Sequence, residues 1–154
     1  MADPASSAID LSINANVGKG QWVFFLNLAT LATGDVLTNF TPGFKGRILD
    51  IDFQVHAAVT TGSKAATLNM EIGTTNLTGG SVALTSANCT PAGVQVAGTA
   101  ITGANSFTAT DTISIEAASV TAFAEGSGWL MVTYINDDTR EAVAEAKGGL
   151  RTGT

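Results

Sequence analysis

From Leu68 to Ala117 the chain carries only three charged residues, Glu71, Asp111 and Glu116. The rest of that stretch is short runs of Thr, Val, Ile and Leu broken by Gly, Asn and Ser. β-Branched residues favour a pleated surface, and Gly, Asn and Ser supply the turns, so the segment predicts several short strands in close succession. A sequence so poor in acids, bases and nucleophiles suits binding or building better than catalysis. We therefore expect no enzyme and no cofactor.

At 154 residues the chain fits one domain with a sizeable core. Charged residues make up 13%, about half the usual share, so much of the surface must be neutral or covered by partners. A net charge of -6 and a pI near 4.4 oppose binding to a phosphate backbone, which draws on clustered Lys and Arg. Nucleic acid is thus not an expected partner. Nor is a membrane, because no apolar run reaches the length of a span. The N-terminus shows no secretory pattern, and a single Cys89 leaves no intramolecular disulfide and no multi-cysteine metal site. Synthesis in a reducing cytoplasm follows.

The chain divides into an arm (1–20), a β body (21–136) and a tail (137–154). In the arm Ile9, Leu11 and Ile13 alternate with Asp10, Ser12 and Asn14, which gives one apolar edge for a neighbour. Gln21 to Leu31 is apolar at both parities, with Trp22, Phe24, Leu26 and Leu28 on one side and Val23, Phe25 and Ala29 on the other. Gly128 to Asn136 is similar. Strands like these are covered on both faces, which marks Trp22, Phe24, Trp129 and Met131 as candidate subunit-interface residues.

Gly34 to Gly46 reads as a loop. Arg47 to Val59 alternates, with Leu49, Ile51, Phe53, Val55 and Ala57 inward and Asp50, Asp52, Gln54 and His56 outward. Ala66 to Ile72 repeats the pattern, and Ser81 to Thr85, Val94 to Ile101, Ser106 to Ala109 and Thr112 to Ala117 are shorter candidates. Roughly seven to nine strands at such spacing predict an all-β fold, a β-sandwich or jelly roll. In the tail a short helix is expected over Thr139 to Lys147, capped by Asp137 or Asp138 and ended by Gly148.

Chemistry has few carriers. His56 shares a strand face with Asp50 and Asp52, but Asp52 and His56 are two pleats apart, about 12 Å, too far to share one ion unaided. The expected role is a solvent face or a polar subunit contact, with no metal bound. Cys89 has no second thiol or base beside it and reads as a packing residue. The body carboxylates Asp50, Asp52, Glu71, Asp111 and Glu116 would need to converge before they could work as a glycosidase pair.

Three segments carry a resemblance: Asn39-Phe-Thr-Pro-Gly-Phe-Lys-Gly46, Ala65 to Gly80 (AATLNMEIGTTNLTGG) and Ser106 to Glu116 (SFTATDTISIE). In these, and over roughly Asp35 to Ile135, the chain resembles small tailed-bacteriophage virion proteins of the head decoration, or cement, type. That resemblance implies a jelly-roll-like subunit, a homotrimer seated on the capsid surface of a virion, with the major capsid protein as partner. On this footing Ile9, Leu11 and Ile13 become the candidate capsid contacts. A head-fibre or receptor-binding, carbohydrate-binding β module is the alternative. The absence of coiled-coil or repeat regions from the sequence disfavours it.

Overall fold

The computed structural model describes residues 18–139. The strands are β1 (Lys19–Asn27), β2 (Gly34–Phe40), β3 (Gly46–Ala57), β4 (Ala65–Ile72), β5 (Thr75–Asn76), β6 (Val82–Thr85), β7 (Gln95–Ala97), β8 (Ser106–Phe107), β9 (Ile113–Thr121) and β10 (Ser127–Asn136). They form two antiparallel sheets. One runs β1-β10-β3-β7, with β8 also on β3, and the other β2-β9-β4-β5, with β6 also on β4. The pairings nest from the outside in: β1 with β10, β2 with β9, β3 with β7 and β8, β4 with β5 and β6. A long hairpin of this kind rolls up when β10 also pairs β3 and β9 also pairs β4. The result is a jelly roll, as the strand periodicity predicts.

The core follows from alternation. Ile51, Phe53 and Val55 of β3 and Leu130 and Val132 of β10 face Leu68 and Met70 of β4 and Ile113 and Ile115 of β9, all at most 2% exposed. Two bulges alter the expected parity of β3. Thr133 pairs Asp50 and Tyr134 pairs Ile48, which leaves Leu49 without a partner; Ile48, not Leu49, is therefore fully buried. At the other end Gly128 pairs Val55 and Ser127 pairs Ala57, so His56 is the extra residue and Ala57 is exposed. An inserted residue exchanges the faces of everything beyond it.

Other boundaries differ for local reasons. β1 stops at Asn27, whose side chain accepts from the Ala29 N–H at 3.1 Å and caps a 3-10 turn, Leu28–Thr30. Residues 34–40, expected as loop, form an edge strand against β9 with two register shifts, so their alternation is blurred. Lys19 and Gly20 belong to β1 rather than to the arm. Ile9, Leu11 and Ile13 lie outside the described residues, as does the tail beyond Thr139.

The two described ends meet. The Asn136 N–H donates to the Gly18 carbonyl at 2.6 Å and the Asp137 N–H to the Lys45 carbonyl at 2.9 Å. The Arg47 guanidinium binds Asp137 through Nε and Nη2, and the Asp137 hydrogen bond raises the Arg47 pKa. Asp138 accepts from the Lys45 N–H. With both aspartates thus engaged, Asn136 instead caps the helical backbone that starts at residue 137, its Oδ1 accepting from the Thr139 N–H.

The β3–β4 loop is held by one carboxylate. Glu125 Oε1 accepts from the Thr60 N–H, the Thr61 N–H and the Thr60 hydroxyl, and Oε2 accepts from the Thr61 hydroxyl. These bonds, led by the Thr61 N–H, favour the ionised form and lower its pKa to about 2. A depressed carboxyl stabilises the fold above its ordinary value and loses that contribution as pH falls through the folded value. In an NMR titration the Thr60 and Thr61 amide resonances should therefore move with a midpoint near 2, and in Glu125→Gln that transition should vanish. A midpoint at the ordinary carboxyl value would contradict the clamp.

Candidate interaction surface

Alternation along β1 sends Trp22, Phe24 and Leu26 inward and Lys19, Gln21, Val23 and Phe25 outward. Register then places Val23 beside Met131 and Phe25 beside Trp129, and next to those on β3 stand Asp52 and Gln54. Val23 is 53% and Phe25 56% exposed, the two large hydrophobics left most open among the described residues. His56, facing out at the bulge, closes the group. Its ring lies 4.8 Å from Trp129 and 6.4 Å from Phe25, with Phe25 and Trp129 6.0 Å apart, all edge to face. The outer side of this sheet is thus an apolar stripe on β1 and β10 beside an acidic flank, Asp50 and Asp52, on β3.

Asp52 is perturbed. Partial burial raises its pKa, Asp50's charge raises it further, and a hydrogen bond with Gln95 opposes both. The outer side of the other sheet is polar: Thr67, Asn69 and Glu71 on β4 lie beside Ser114 and Glu116 on β9, and Asp35 pairs Glu116. Burial, then the charges of Glu116 and Asp35, raises the Glu71 pKa. One sheet therefore presents apolar surface and the other does not.

Of the four expected subunit-interface residues, Trp129 and Met131 stand on the outer stripe. Trp22 and Phe24 do not. They line the inner side, where Trp22 stacks on Tyr134 at 4.4 Å and meets Phe40 edge-on at 4.9 Å, and Phe24 meets Phe40 at 5.7 Å. The outward residues of β1 are Val23 and Phe25. A usable signal was the parity of the larger run: Trp22, Phe24 and Leu26 lead into Leu28, which is fully buried.

The other candidates do not assemble. Asp50 and Asp52 lie on one outer face, Glu71 and Glu116 on the opposite one, and Asp111 accepts from the Thr108 N–H in its own turn. Among the described residues no group of three or more His, Cys, Asp or Glu side chains could hold a metal ion. Cys89 is fully buried, and burial pushes its thiol pKa up. A cleft of about 750 Å³ opens between the Val59–Lys64 and Thr85–Thr90 loops, but two of its hydroxyls are spent on the protein itself. Ser86 donates to the Thr61 carbonyl and Thr90 to the Val59 carbonyl.

Compared with family models, curated proteins and solved structures, the chain finds no match.

Proposed function

We propose that this is a structural virion protein, a trimeric cement module that binds the major capsid protein and stabilises a phage capsid. The observation that most supports a binding role is the asymmetry of the sandwich. One outer face exposes Val23 and Phe25 beside Trp129 and Met131, and the other is polar. Exposed apolar stripes of this kind mark contact surfaces. The carboxylates, by contrast, are dispersed over both faces and a turn. Viral capsid domains are among the users of jelly rolls, but a fold hosts many functions, so the phage assignment rests on the resemblance in residues 39–46, 65–80 and 106–116.

In this reading the arm supplies the grip through Ile9, Leu11 and Ile13. Gly18 and Asn136 are hydrogen-bonded neighbours, so the two described ends lie at the same end of the sandwich. The protein is made in the host cytoplasm and acts on the capsid surface. The test is co-sedimentation of the full chain with undecorated shells of the major capsid protein. Saturable binding that raises the shells' resistance to heat is expected. Shells that neither bind the protein nor gain stability from it would overturn the reading.

A further inference from the structure

We propose that the open edge of β1 takes a further strand, supplied by residues 9–15 of the same chain, which fold back on it as a β-hairpin through Asn16-Val17-Gly18. Ile9, Leu11 and Ile13 then stand beside Phe25, Val23 and Gln21 and widen the apolar stripe to three strands.

The edge is prepared for a partner. Among the described residues β1 pairs with β10 alone. At one end of that ladder the Asn136 N–H donates to the Gly18 carbonyl, and at the other the Leu28 N–H donates to the Gly126 carbonyl. Bonded residues alternate along an antiparallel strand, so Gly20, Trp22, Phe24 and Leu26 turn their backbone groups to β10. Those of Lys19, Gln21, Val23 and Phe25 point to the open side. β1 contains no proline, and Lys19 is its only charge. A long apolar edge of this kind is a template for strand addition.

Two observations choose the occupant. Residues 1–17 join the sandwich at Gly18, directly before β1, so the arm starts beside the edge it would cover. Gly18 has a φ of +76°, the left-handed conformation that closes a three-residue hairpin loop. The loop Asn16-Val17-Gly18 pairs Ala15 with Lys19, and counting back sets Ile13 against Gln21, Leu11 against Val23 and Ile9 against Phe25. These are the β1 residues whose backbone groups point to the open side. Their side chains face outward, where Val23 and Phe25 are exposed. A four-residue loop would instead turn the arm's apolar side inward, toward Trp22 and Phe24, which already pack on Phe40. With three, Asp10 falls on the inner side at the rim, the kind of inward charge with which edge strands block further pairing.

The inference concerns the free chain and does not rest on the capsid reading. It adds to that reading, because the hairpin orders Ile9, Leu11 and Ile13 on one outer face before they meet a shell. The test is amide hydrogen exchange by NMR on the full chain and on Leu11→Pro, which removes an arm donor and breaks the added ladder. In wild type the Gln21, Val23 and Phe25 amides should be protected alongside those of Trp22 and Phe24, independently of protein concentration. In Leu11→Pro those three should exchange at least about tenfold faster, while Trp22 and Phe24 keep their protection and so report a folded sandwich. Unprotected Gln21, Val23 and Phe25 amides in wild type would overturn the proposal. So would protection that Leu11→Pro leaves unchanged, or protection that fades on dilution and therefore belongs to a second copy. A hairpin that forms in a chain that ignores capsid shells would sink the capsid reading alone.

Discussion

Phe53→Ala should lower the unfolding free energy by about 3–5 kcal/mol, the range for removing a buried aromatic ring. Phe53 is fully buried at the middle of β3, between Leu130 of β10 and Val96 of β7 in the cross-strand register. Neighbours on three strands hold that space open. Gly128 shows how tightly: a Cβ there would strike the Gln54 carbonyl and stand 2.5 Å from Phe53 Cζ. Both β3 neighbours on the inner face, Ile51 and Val55, are buried and fixed in the same strand, so the cavity can collapse only partly. Typical domains have about 5–15 kcal/mol in all, and the loss is a large share of that. Urea unfolding, with a lower midpoint and an unchanged slope, is the readout. A loss under about 1 kcal/mol would mean that the sheets close over the gap and that β3 does not anchor the core as described.

On the proposed capsid reading, removing residues 1–17 should weaken binding to undecorated capsid shells by about 100-fold or more while leaving the proposed trimer intact. The magnitude comes from multivalency. Once one arm of a trimer is attached, the second and third bind at high effective concentration, so modest single contacts multiply. The cut is placed before Gly18 because that residue accepts the Asn136 N–H and β1 starts at Lys19, and both features survive it. A truncated trimer that decorates shells with unchanged affinity would move the grip from the arm to the β body.

The parts of the fold legible in the sequence are those set by local alternation. Ile51, Phe53 and Val55 in β3, and Leu68 and Met70 in β4, face inward as their spacing predicts. The parts that were not legible depend on distant partners. The swap between Ile48 and Leu49 is caused by a bulge whose register is fixed by β10, and nothing near residue 48 signals it. β2 read as a loop because Gly34, Asp35, Asn39, Pro42 and Gly46 are turn formers. It becomes a strand only because the β9 edge offers hydrogen bonds.

The exposed apolar stripe was half legible. Two strands apolar at both parities pointed to outward apolar residues, and on β1 these are Val23 and Phe25. Which parity faces out on β1 is decided by the aromatic cluster around Trp22, built with Phe40, Phe44, Phe107 and Tyr134 from four other parts of the chain. His56 was legible as an outward residue. Its place against Phe25 and Trp129 was not, because it needs both a bulge and the β1–β10 pairing.

The central claim is that this chain is a capsid component present wherever the shell offers a three-fold seat. A quantitative protein inventory of purified particles tests it most directly. The account predicts copies in fixed proportion to the major capsid protein, matching the three-fold sites and lost together when the trimer is stripped from the shell. Absence from the particle, or the few copies of a fibre or tail part, would contradict it.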